Sequence, residues 1–91
     1  MPFINDPLEG LTEGRIVHFV RNDGQHRAAL VVRNWHQPNG SVNLYVFLDG
    51  GNDARNMGEA TFGIHGIEWA TSVHYDADEK KPRTWHWPER E

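Results

Sequence analysis

The chain has 91 residues, a mass of 10.5 kDa, nine Lys and Arg against thirteen Asp and Glu, and no cysteine. That length holds one domain with a small core, and the missing cysteine excludes disulfides, thiol catalysis and Cys-ligated zinc. No apolar run approaches the roughly 18 residues that span a bilayer and no stretch reads as a signal peptide, so the expectation is a small cytoplasmic domain without a membrane partner.

The formal charge of −4 is unevenly placed. Residues 1–48 carry four acids and four bases, so the whole excess of acid lies in residues 49–91. Seven of the nine cations are Arg, whose planar fork suits phosphate and carboxylate recognition. An acidic chain is a poor fit to duplex nucleic acid, which needs a basic surface, but a local Arg pocket can still hold a small anion.

In chain order, residues 1–13 read as an irregular arm interrupted by Pro2, Pro7 and Gly10. GRIVHFV (14–20) is β-branched and aromatic, and Asn22-Asp23-Gly24 turns it into a second strand, RAALVVRNW (27–35). Gly40 marks the next turn, followed by SVNLYVFLD (41–49), where Val42, Leu44, Val46 and Leu48 form one apolar face. Residues 50–63 form a long Gly-rich loop, with a short helical turn expected within Ala54–Ala60. A fourth strand follows at His65–Val73, with Ile67, Trp69, Thr71 and Val73 sharing a face, and a fifth at Thr84–Pro88.

The expected fold is all-β: a small five-stranded antiparallel, SH3-like, partly open barrel spanning 14–89, preceded by the arm 1–13. Taking Ile16, Leu30 and Val32 as inward leaves Val17, Phe19, Val31, Trp35, Tyr45 and Phe47 outward. That much outward apolar surface needs cover, from Phe3, Ile4, Leu8 and Leu11 of the arm or from a second subunit. The expectation is therefore a homo-oligomer, a dimer or higher.

Six histidines are the compositional oddity, and none stands in an HxH or HExxH arrangement. No metal ligand and no cofactor is therefore assigned, with a His/carboxylate site assembled from separate strands as the minor alternative. His18, inside an apolar strand, and His86, between two tryptophans, are the candidates for acid–base chemistry if the chain is an enzyme. His26 and His36 flank turns and read as solvated. In Trp85-His86-Trp87 the two indoles share one face and His86 takes the other. Trp69 and Trp85 beside Arg can stack on a base, Thr71 and Ser72 can donate to sugar or phosphate oxygens, and Asp49–Asp53 can present backbone N–H groups. Each of these residues has an ordinary structural use as well: core for Trp, strand surface for Ser and Thr, a tight turn for the Gly pair.

The segments GRIVHFV (14–20), RAALVVRNW (27–35), VNLYVFLDGGND (42–53), WATSV (69–73) and TWHWPE (84–89) resemble a family of small bacteriophage and prophage proteins. The resemblance implies a setting inside an infected bacterium, where small phage proteins include inhibitors of nucleotide immune signals. The expectation built on it is a binding protein, without catalysis, that sequesters a cyclic nucleotide or ADP-ribose derivative. Arg15 and Arg33 would hold phosphates, Trp69 or Trp85 would stack, and Thr71, Ser72 and His86 would donate hydrogen bonds. The alternatives are a metal-independent phosphodiesterase using His18 and His86, and a virion or host-protein interaction module with no small ligand.

Overall fold

The computed structural model describes residues 6–49 and 66–89. Five strands form: β1 Ile16–Val20, β2 His26–Asn34, β3 Val42–Phe47, β4 Ile67–Tyr75 and β5 Thr84–His86. They close into one barrel, β5 pairing with both β1 and β4, and no helix occurs among the described residues. The all-β SH3-like barrel is thus observed, fully closed where the sequence reading left it partly open. The loop 50–63 with its Ala54–Ala60 turn, the Gly50–Asp53 segment, His65, Phe3 and Ile4 lie outside the described residues.

Two local signals make the first hairpins. Asp23 accepts from Gln25 N through Oδ1, and Gly24 takes φ 88°, a left-handed value that glycine adopts without strain. In the second turn Gly40 has φ 76°, and a Cβ there would stand 2.7 Å from Tyr75 Cβ. The β4–β5 pair is parallel rather than antiparallel. Parallel neighbours normally need a dozen or more connecting residues; residues 76–83 suffice because β5 is only three residues long.

The core holds Val17, Phe19, Ala29, Val31, Val42, Leu44, Val46, Ala70, Val73 and Trp85, with Leu11 of the arm among them. The expected facing of β1 and β2 is therefore reversed: Val17, Phe19 and Val31 point in, whereas Ile16 is exposed and Leu30 and Val32 are half-buried. Register explains it. Ile16 pairs with Leu30 and Leu30 with Tyr45, so all three take the outward parity of Tyr45.

The β4 face is also corrected, for a different reason. Asn43 is the single residue opposite Thr71 and Ser72, a bulge that turns Ala70 and Val73 inward while Trp69 stays outward. Ser72 sits at φ 53° within this bulge, and its N–H donates to Asn43 Oδ1 at 2.9 Å. A bulge in β2 between Val31 and Arg33 likewise brings Asn34 inside. There Asn34 ties down the arm: its Nδ2 donates to Leu11 O at 2.9 Å and its N–H to Glu13 Oε2 at 2.8 Å. Leu8 and Leu11 of the arm pack on the core rather than over the outer aromatics.

Trp85 is the largest buried side chain, fully enclosed, with Nε1 donating to Gly40 O at 2.8 Å. Trp85→Ala should cost about 3–5 kcal/mol from the cavity, plus the orphaned Gly40 carbonyl, read by urea titration. The Asn34 N–H holds the Glu13 carboxyl below its ordinary value. A depressed carboxyl stabilises the fold above its unfolded pKa, and that contribution disappears as pH falls through the folded value. Glu13→Gln should therefore lower the melting temperature at pH 7, with the gap to the parent closing below about pH 4.

Candidate metal centre

The outward side of β1 continues from Ile16 to His18, because Val17 and Phe19 point into the core. His18 pairs directly with His86 of β5, and Phe19 with Trp85. His26 opens β2 opposite Val20, which places it diagonally across the hairpin from His18 on the same face. Three imidazoles from three strands thereby meet, with ring centroids 4.8 Å (His26–His86), 5.6 Å (His18–His86) and 6.4 Å (His18–His26) apart.

The fourth group arrives from the segment after β5. Trp87 packs edge-on to Trp85 and donates Nε1 to Pro7 O at 2.7 Å, which holds the chain against the arm. Pro88 then leads into Glu89, whose Oε1 lies 3.3 Å from His86 Nε2, 3.4 Å from His18 Nδ1 and 3.5 Å from His26 Nδ1. One ligand atom from each of the four residues lies within 4.8 Å of every other, the single such group among the described residues.

These spacings have a chemical reading. Good N–H···O hydrogen bonds fall at about 2.7–3.2 Å, and one carboxylate oxygen facing three imidazole nitrogens beyond that range is poorly served by any of them. A tetrahedral ion with bonds of about 2.0–2.1 Å separates its ligand atoms by about 3.3–3.4 Å. The three Glu89 distances match that edge. The imidazole nitrogens all lie within 4.8 Å of one another.

Burial and protonation agree with that reading. His86 is 1% exposed, and neither of its ring nitrogens has a hydrogen-bond partner. A buried polar group left unpaired costs about 1–3 kcal/mol, and an ion at Nε2 would satisfy one of the two. Burial pushes the His86 imidazole below its ordinary pKa, against the pull of Glu89. Desolvation raises Glu89, but contacts with His86, His18 and His26 outweigh it and hold the carboxyl below its ordinary value. Neutral imidazole and ionised carboxylate are the forms that bind metal. His18 and His26 have side chains 30% exposed and Glu89 45%, so the group is sealed behind His86 and open to solvent in front.

The residues expected from sequence are dispersed by comparison. Trp85 is core and has no face for a base, which corrects its assignment as a stacking residue. Arg15 donates Nε to Gly10 O and stands 5.7 Å over Trp87, beside the arm. Arg33 lies 4.2 Å over Trp35, whose Nε1 donates to Asn43 Oδ1, the acceptor that also holds Ser72 N. Thr71 and Ser72 are exposed, and Trp69 packs against Tyr45 with centroids 5.0 Å apart. Arg33, Trp69, Thr71 and Ser72 thus lie on exposed parts of β2 and β4, whereas His86 belongs to the histidine cluster.

His18 and His86 are brought together as paired candidates. His26, read as solvated, is instead a member of the group, and Glu89 was not singled out. The signal for His26 was present in the hairpin: a turn at 21–25 sets positions 18 and 26 on one face. Glu89 follows His86 by three residues, a spacing that the course of the chain after Trp87 makes effective. His36 and His74 are exposed and stand apart. No metal ligand was assigned from sequence; the fold gathers four groups that could hold one.

Fold and cluster together define a small closed β-barrel with a candidate mononuclear metal centre on its outer wall. No protein-family model matches the chain, and no curated protein or solved structure matches it.

Proposed function

We propose that this chain is a metalloprotein that binds one divalent first-row transition ion, zinc best, through His18, His26, His86 and Glu89. The observation that carries it is the single Glu89 oxygen facing three imidazole nitrogens at tetrahedral-edge spacing, with buried His86 otherwise unpartnered. Three imidazoles and one carboxylate suit zinc, copper or nickel over magnesium or calcium, which prefer all-oxygen shells. His86 is too enclosed to meet a phosphodiester directly, so any acid–base use of it runs through the ion.

Calorimetry on the chelator-stripped chain should give one zinc per chain, with mass spectrometry of the dialysed complex agreeing. His86→Ala and His26→Ala should each weaken binding by about 100-fold or more, since even loss of an outer-shell partner costs 10–100-fold. Zinc at a hundred times its dissociation constant should stabilise the fold by about 2.7 kcal/mol, reversed by chelator. Histidine variants that bind as tightly as the parent would sink the assignment.

A second reading, sequestration of a nucleotide signal, has its support on the opposite character of surface. Arg33 stacks on exposed Trp35, and Tyr45 and Trp69 present a neighbouring exposed pair. Ile16, Leu30, Tyr45 and Trp69 also run in register across four strands, a stripe that a second copy of the chain would cover. Incubation with cyclic nucleotides and ADP-ribose derivatives, then denaturation and mass spectrometry, should recover bound ligand intact. Trp69→Ala and Arg33→Ala should each reduce the amount captured, and light scattering should give a mass above 10.5 kDa. An unchanged supernatant from a monomer would end this reading.

A further inference from the structure

Lys80 stands beside the cluster and gives it a charge that the four ligands do not balance. Its Nζ lies 3.9 Å from Glu89 Oε2, on the carboxylate oxygen that does not face the histidines. The same ammonium donates to Ala77 O at 2.9 Å, and its charge bears on buried His86. The backbone fixes it there: Lys80 takes φ 52°, a left-handed conformation that side-chain-bearing residues rarely adopt. Asp76 supports the turn by accepting from Glu79 N and Lys81 N.

With an ion in place, the three imidazoles are neutral and Glu89 contributes one negative charge. The divalent ion and Lys80 then leave the centre with a net charge of +2. His18, His26, Glu89 and Lys80 are all partly open to solvent, and the sealed side is that of His86. A loaded centre of this kind attracts an anion from the open side. A carboxylate neutralises half of that charge; a phosphate group, near −2 at neutral pH, neutralises all of it.

Resting on the metal reading above, we infer that the loaded centre is a phosphate-binding site, with the ion and Lys80 as its two cationic contacts. The ligand class is a phosphate group, free or as a monoester.

The test uses the full chain loaded with cobalt(II), whose visible absorption reports its coordination. Inorganic phosphate and phenyl phosphate are titrated separately against loaded and metal-free protein. Both should bind the loaded chain at least tenfold more tightly than the metal-free chain and change the visible spectrum. Response to phenyl phosphate alone assigns the esterified source, and response to inorganic phosphate alone the free ion. Lys80→Met should weaken phosphate at least tenfold while cobalt still binds, and Lys80→Arg should restore it. If cobalt binds and phosphate leaves the spectrum unchanged, or Lys80→Met binds phosphate like the parent, the phosphate site is wrong and the metal site stands. If cobalt itself fails to bind, the metal reading falls first.

Discussion

Burial of Trp85 sets the geometry on which the candidate centre depends. β5 has only three residues, so its facing is decided by which one enters the barrel. Trp85 does, with its indole among core side chains and its N–H on Gly40 O. A strand alternates faces, so His86 must turn outward, and pairing with β1 puts it opposite His18. The largest apolar side chain in the barrel thus aims the most enclosed of the described histidines. Gly40 belongs to the same device, because its carbonyl accepts from Trp85 and any Cβ there would collide with Tyr75.

A second set of contacts carries the carboxylate to that histidine. Trp87 leaves the sheet, packs on Trp85 and hydrogen-bonds the arm at Pro7, and Glu89 then falls back over the three rings. The arm is itself held by Asn34, which the β2 bulge turns inward. Arm, bulge and C-terminal segment are therefore mechanically linked to one carboxylate position. Charge follows the same layout: buried Glu68 is answered by Arg83 at 2.8 Å, whereas Glu89 faces three imidazole rings and a more distant Lys80.

The parts of this account that were legible in the sequence are those fixed by local chemistry. Asp23-Gly24 and Gly40 mark the turns, and Val42, Leu44 and Val46 alternate so cleanly that the inner face of β3 is read directly. The Trp-His-Trp parity was equally plain, and it singled out His86. The facing of β1 and β2 was not legible, because Ile16, Val17, Phe19 and Val20 offer apolar residues to both sides. Nor were the bulges: Val32 and Ser72 are ordinary strand residues whose extra place shows only against the partner strand. The candidate centre needs the hairpin register for His26, the β1–β5 pairing for His86 and the course of the chain after β5 for Glu89. The β1–β5 pairing is non-local, and no spacing along the chain encodes it.

X-ray absorption at the zinc edge of the stoichiometrically loaded chain tests the central claim most directly. The account predicts a first shell of about four N and O atoms at about 2.0–2.1 Å, with the outer-shell scattering of three imidazoles. A shell with one imidazole or none, or an octahedral shell of water oxygens, would contradict it.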